Sequence, residues 1–444
     1  MKRKYGTFKH LHLVALFIPI FLAIIIDTTF IKTYDLVNKF FLTIQNKIIL
    51  FSLISSIILI FQYFIFRYLN RILTIQLTKT QNSSLYSKIS IFSILMLGFL
   101  FSLLIYQQLF NSYYNTSIII LIIILTYGVA SFFILKLSIS FFSWYKSTSN
   151  IIIFLYFVSM SLIVFNLIMT ASITTVKVNE RPNEIREFVG GSMDISVGRY
   201  LLLDTIYKIS SIMSFGSLWI TTVILLNRYK NNLLHTLIYV TIISLPLIFY
   251  LISSFYELIF GKLLVSFLMT DPITISIILT IFLTLSKPIG GLTFGLAFWQ
   301  AAKTIGYEKT IKTYMIISGW GILLLFGTNQ AVSQVLAPYP PFGIATITVL
   351  ISASYMILIG IYNSARLVSV NTQLRKAIRK HTLESNLLES IGQAEMETEI
   401  RRTVNSIVHD NDIEKTSTGT NLEFDKEELR KYIDEVITEI KKRS

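Results

Sequence analysis

The sequence predicts an all-α protein: a polytopic transmembrane helix bundle of about ten spans, followed by a short cytoplasmic helical tail. Three observations predict it. Apolar runs of about 20 residues, the length that crosses about 30 Å of hydrocarbon as a helix, recur from Leu11 to Asn363. Hydrophobic residues make up 53% of the chain and charged residues only 14%, far from the soluble balance. Stretches such as Ile118 to Leu125 are apolar on every face, whereas the strands of a membrane barrel alternate with period two.

Taken in order, the expected spans are 11–30, 48–66, 89–110, 117–141, 151–173, 207–227, 234–255, 263–285, 310–327 and 342–363. The first follows MKRKYGTFKH, which has the basic flank of a signal peptide, but no small-residue cleavage signature follows it. That span is therefore read as retained. Between the eighth and ninth spans, 288–302 is apolar but only 15 residues long, which fits a re-entrant or interfacial helix better than a crossing. The chain divides into a transmembrane domain, 1–363, with one large outer loop at 174–206, and a cytoplasmic helical tail, 364–444.

Charge gives an independent reading of topology. With the amino terminus inside, the inner segments hold Arg67, Arg71, Lys79 and Lys88, then Lys146, then Arg228 and Lys230, then Lys287, Lys303, Lys309 and Lys312. This bias predicts a multi-pass protein of the cell membrane with both termini cytoplasmic. Lys32, Lys39 and Lys47, in the first outer loop, run against it. The net charge of +14 is not a nucleic-acid signal: from Asn363 onward 14 basic and 15 acidic residues nearly cancel, and the excess sits on loops between spans. The lipid bilayer is a sufficient partner for such loops, and no cationic domain exists to hold nucleic acid.

Catalytic and metal chemistry lack their residues. There is no cysteine, and the five histidines, His10, His12, His235, His381 and His409, fall in no zinc-binding pattern. No phosphate-binding loop or dinucleotide fingerprint occurs, so no cofactor, metal or catalytic residue is expected. The residues that stand out instead lie within apolar runs. Asp271 and Pro272 interrupt 263–285, where a broken helix exposes carbonyls beside a carboxylate and makes a transport or ion site. Read structurally, the same pair is a helix start, with Asp271 as N-cap and Pro272 at the first helical position. Downstream, Gly290, Gly291 and Gly295 allow either a pathway lining or a packing face with GxxxG spacing. Asn166 is placed to join helices by hydrogen bonding, and Asp27 to reach the headgroups from the end of the first span.

After Asn363 uniform apolarity gives way to a stripe, Leu367, Val370, Leu374 and Ile378, at helical spacing. It predicts a helix that leaves the membrane without a break and pairs as a coiled coil, so that residues 364–410 offer a surface to a second copy or to a cytoplasmic protein. STGTN at 417–421 marks a break before a second amphipathic helix over 426–440. In architecture alone, with no motif attached, many spans followed by a charged helix resemble the membrane-sensing half of a multi-span receptor.

Two classes of function follow. The span number, Asp271 with Pro272 and the glycine-rich segment point to a secondary transporter or permease of unknown substrate. The tail stripe supports the alternative, a membrane sensor or adaptor signalling to a separate partner, or a structural membrane subunit.

Overall fold

In the computed structural model the described residues are 17–27, 44–77, 83–110, 116–179, 201–227, 233–255, 272–304, 309–329, 342–370 and 391–400. Apart from a few turn residues they are helical, and no strand occurs among them. In chain order the helices are α1 (Phe17–Asp27), α2 (Ile44–Leu77), α3 (Ser83–Phe110), α4 (Thr116–Thr148), α5 (Ile151–Asn179) and α6 (Leu201–Asn227). They continue with α7 (Leu233–Ser254), α8 (Pro272–Thr304), α9 (Lys309–Thr328), α10 (Ile344–Val370) and α11 (391–400). Asp271 and the preceding residues 256–270, most of the loop 174–206, and the tail segments 371–390 and 401–444 lie outside the described residues.

The protein is an all-α, multi-span membrane bundle. Six described stretches are both long and apolar enough to cross a bilayer: Gln45–Leu73, Thr116–Thr148, Ile151–Val176, Leu202–Leu226, Thr310–Thr328 and Ile344–Ser369. Three more apolar stretches, Phe17–Asp27, Ile91–Tyr106 and Ile243–Ser254, are shorter in their described part. Large apolar side chains such as Leu53, Leu95, Phe132, Ile139 and Leu245 remain exposed on the outer faces. In water such surface is unfavourable, whereas against lipid tails it carries no penalty.

α10 is the axis of the bundle. Its neighbours are α9, α4, α2 and α3, and from Ile344 to Gly360 every residue is buried. Six serine, threonine and asparagine residues lie buried along it, and several bond back to their own helix, as Ser354 Oγ does to Leu350 O at 2.7 Å and Ser364 Oγ to Gly360 O at 2.7 Å. Small side chains whose polar atoms are satisfied locally let neighbouring backbones approach, which is how membrane helices gain contact without a hydrophobic driving force. At Gly360 a β-carbon would stand 2.6 Å from Tyr314 O of α9, so only glycine fits that crossing. Gln62 of α2 reaches the axis by donating to Thr348 Oγ1 at 2.8 Å.

Local sequence explains the joints. α4 and α5 are joined by two residues: Ser149 adopts the left-handed region (φ 52°), and Asn150 Oδ1 accepts from Ile152 N at 2.9 Å to cap α5. The hairpin then closes through Ser138 Oγ and Ser161 Oγ, 2.8 Å apart, and the stacked rings of Phe141 and Tyr156, 5.4 Å apart.

α8 differs from the expectation. It is one helix of 33 residues that starts at Pro272 and passes through Pro288, so 288–302 is its second half and not a separate short element. A helix of that length extends about 50 Å. Proline at the first position loses no helical hydrogen bond, and at Pro288 the interior cost is met by packing against α6, α7 and α9. Lys287, assigned by charge to a loop, consequently lies near the midpoint of a helix. The reason for the difference is that SKPIGG reads locally as a breaker, while the helices around it supply the contacts that keep the turn intact.

Candidate functional site

Polar side chains inside the bundle are not scattered; they connect. Asn166 of α5 is buried and donates from Nδ2 to Ser210 Oγ of α6 at 3.0 Å, while its Oδ1 accepts from Asn329 Nδ2, just beyond α9, at 2.9 Å. Ser210 Oγ in turn donates to the backbone carbonyl oxygen of Tyr207 at 2.8 Å. On the next position of α6, Ser211 Oγ lies 2.8 Å from the Tyr250 hydroxyl of α7, and Ser253 Oγ of α7 donates to Ser286 Oγ of α8 at 3.0 Å. These separate bonds tie α5 to α6 and to the end of α9, α6 to α7, and α7 to α8.

Lys287, the residue after Ser286, holds its Nζ 5.8 Å from the ring centroid of Tyr207. It is half-buried, and among the described residues it has neither an ion pair nor a hydrogen bond. The one ion pair nearby joins Asp204 Oδ2 and Lys208 Nζ at 2.9 Å, both on α6. A lysine near the middle of a membrane helix costs about 2.5–3.5 kcal/mol on an insertion scale. A ring contact near the 6 Å limit returns about 0.5–1 kcal/mol. The larger part of the cost is left to water or to an anion.

Tyr127 of α4 is another polar side chain inside the bundle. Its side chain is buried, yet its hydroxyl has no hydrogen-bond partner among the described residues. Asn329 Oδ1 is likewise buried without one. A buried phenol or amide that makes no bond loses about 1–3 kcal/mol of solvation, so both atoms weigh against stability where they stand.

The residues singled out from sequence fall elsewhere on α8. Pro272 is its first residue, and Asp271, just before it, lies outside the described residues. Gly290 faces Phe215 of α6, where no β-carbon has space. A β-carbon on Gly291 would stand 2.9 Å from Phe326 Cβ, and one on Gly295 2.7 Å from Gly319 O, both on α9. The three glycines therefore share one packed seam with α6 and α9, about one to two turns beyond Lys287. Trp299 closes its lower part by donating to Ile316 O at 3.2 Å. The GxxxG spacing was a visible signal for this seam. Lys287, Tyr207, Tyr127 and Asn329 were not singled out from the sequence; the one available signal was a lysine flanked on both sides by long apolar segments.

Asp27 is also placed differently from the expectation. It is buried at the end of α1, where its two oxygens accept from Gly343 N at 3.1 Å each and Oδ2 accepts from Thr346 Oγ1 at 2.5 Å. The carboxylate therefore caps the amino terminus of α10 and neutralises its unpaired amides, instead of reaching the headgroups.

At the opposite end of α10 the tail returns to the bundle. Trp144 Nε1 of α4 donates to Glu395 Oε2 of α11 at 2.7 Å, with both side chains buried, and Trp144 stacks on Tyr362 of α10 with ring centroids 6.3 Å apart. Gly392 lies directly on Val368, and Ser147 Oγ is 3.5 Å from Thr398 Oγ1. Helix α10 continues to Val370, as the stripe predicted for the start of the tail.

Among the described residues no group of three or more His, Asp or Glu side chains converges as metal ligands do. Comparison with known protein families, with curated proteins and with solved structures finds no match to this chain. What fold and geometry define is the class: a multi-span α-helical membrane protein.

Proposed function

We propose that the protein is a secondary transporter or permease, multi-pass in the cell membrane with both termini cytoplasmic. The observation that carries this reading is a set of polar contacts inside the bundle, Asn329 with Asn166 and Asn166 with Ser210, with Lys287 over the Tyr207 ring. Polar and charged groups there are expensive and, in membrane proteins, mark substrate and ion pathways. The test is solute flux into liposomes holding the full chain, under imposed pH and sodium gradients, with amino acids, organic acids and sugars as cargo. Flux in the wild type and its loss in Lys287→Met support the reading, and Asp271→Asn asks whether the residue before α8 takes part. Absence of any flux from correctly folded wild type removes it.

A second reading, a sensor or adaptor signalling through its tail, is favoured by α11 resting on α4 and α10. Under it, residues 364–410 engage a second copy or a cytoplasmic protein, and α11 either presents its outer side or leaves its seat. Binding of a partner that exposes Trp144 to solvent, read by its fluorescence, supports this reading; unchanged fluorescence in the bound complex counts against release.

A further inference from the structure

We propose that Asn363 and Arg366, at the carboxyl-terminal end of α10, form a binding site for a phosphate group. The site goes beyond transport and does not depend on it. Asn363 is only 4% exposed, and its Nδ2 has no hydrogen-bond partner among the described residues. Arg366 is half-buried, and its Nη1 is enclosed and equally without a partner. The two residues are three apart on one helix, which puts their Cβ atoms about 5–6 Å from each other on one face. Two neighbouring side chains, one of them charged, thus hold enclosed donors that lack an acceptor. Native structures leave few such groups unmatched, and a ligand with acceptor oxygens matches both.

Position along the helix sets the ligand's surroundings. Counted from Ile344, helical rise carries Asn363 about 29 Å and Arg366 about 33 Å along α10, against a hydrocarbon core of about 30 Å. With the Asp27-capped start of α10 at one membrane boundary, the pair stands at the other, level with the lipid phosphates. Helices α2 and α4 run beside α10 in the same direction. Phe51 meets Phe342 and Phe66 meets Tyr355 on one side, and Phe133 meets Tyr355 and Trp144 meets Tyr362 on the other. They carry Arg71 and Lys146 toward the same end, and none of the three helices contains an acidic residue. The acids at this end belong to α11. Glu395 accepts from Trp144, and among the described residues no ion pair joins Arg366 to Glu395, Glu397 or Glu399.

The donor set selects phosphate. A guanidinium presents its donors as a planar fork that matches two oxygens at once. A carboxylate has both oxygens taken by that fork, whereas a phosphate keeps another for the amide of Asn363. A cation is repelled, and a neutral hydroxyl leaves the guanidinium charge uncompensated. The phosphate has two sources, the headgroup of an anionic lipid or the free ion, and the experiment separates them. The full chain is held in maltoside micelles, which contain no phosphate, and its Tm is followed against added phosphatidylglycerol or sodium phosphate. Sodium chloride keeps the ionic strength constant. A ligand that binds the native state raises Tm with the logarithm of its concentration. The rise is expected in the wild type and absent in Arg366→Gln. In Arg366→Lys, which keeps the charge and loses the fork, it needs about tenfold more ligand. Asn363→Asp places a carboxylate beside Arg366, so its Tm without ligand is kept or raised and its response is lost. Lys146→Gln, at the same end but outside the pair, keeps the response.

An Arg366-dependent rise with phosphatidylglycerol alone assigns the headgroup; one with sodium phosphate alone assigns the free ion, and one with both assigns a site open to either. Equal responses in wild type and Arg366→Gln, or no response to either ligand, overturn the proposal. So does a loss in Lys146→Gln as large as that in Arg366→Gln, which reduces the effect to general attraction between charges. If Arg366→Gln does not fold, Arg366→Lys and Asn363→Asp decide, and responses in both that equal the wild type overturn the site. Flux has no part in the readout, so the transport reading stands or falls separately.

Discussion

Asp27 illustrates how a single carboxylate is kept inside a membrane bundle. Desolvation disfavours the charge, but Gly343 N and Thr346 Oγ1 bond to it, and it stands at the positive end of α10. Asparagine caps a helix about as well as aspartate, whereas alanine forfeits about 1–2 kcal/mol. Asp27→Asn is therefore expected to keep thermal stability within about 1 kcal/mol of wild type, and Asp27→Ala to lose the full cap, measured by unfolding in detergent. If Asp27→Asn instead keeps stability but abolishes flux, the carboxylate has a proton-carrying role that capping does not explain. Sequence placed Asp27 at the end of a span and stopped there, because its partners come 316 and 319 residues later and no local pattern announces them. Asn166 was legible, since an amide in an apolar helix has to find a neighbour. Lys287 was not, because a lysine followed by proline and two glycines reads as loop whenever the contacts of the surrounding helices are unknown.

At the scale of helices, the α8–α9 seam and the seat of α11 carry separate predictions. Backbones at Gly295 and Gly319 are in contact, so Gly295→Val drives a side chain into a carbonyl oxygen that has no room to move. Overpacking of this kind costs about 1–3 kcal/mol, and more if α8 shifts. Gly128 of α4 has open space where a β-carbon would stand, and Gly128→Ala is expected to be neutral or slightly stabilising by helix propensity. Equal loss of stability in the two variants argues against the seam. For the tail, the chain contains no cysteine, so introduced pairs report without background. Ser147→Cys combined with Thr398→Cys is expected to form a disulfide rapidly under mild oxidation, given oxygens 3.5 Å apart in the wild type. A free pair that forms no bond in the folded protein removes the docked position of α11. The helix of the last span does extend past Asn363 to Val370, but local spacing offered no means to see that Trp144, far upstream, bonds to Glu395 of α11. Long-range polar pairs are decided by tertiary packing, and single-sequence periodicity contains only local spacing.

For the whole molecule, the distribution of burial separates a static part from a part with room. α10 is enclosed on all sides and braced at both ends, by Asp27 at one and by Trp144 with α11 at the other. Lys287, which has no ion pair or hydrogen bond among the described residues, lies away from that axis on α8, which packs against α6, α7 and α9. A bundle built only for support has no reason to leave a lysine charge uncompensated inside it, whereas a water-filled recess compensates it. The two cases differ in access. Tyr207→Cys, in a chain otherwise free of cysteine, places one thiol beside Lys287. If the recess is open to water, a membrane-impermeant thiol reagent added to sealed vesicles modifies it, and the anionic sulfonate form reacts faster than the cationic ammonium form because the lysine attracts the former. Raising the salt concentration narrows that ratio in proportion to screening at the mouth of the recess. Pre-filling with acetate or phosphate slows the anionic reagent if both compete for the ammonium. No modification from either side of the membrane, in protein shown to be folded, means that the place is closed to water; the polar contacts then join helices, and the reading through the tail becomes the stronger one.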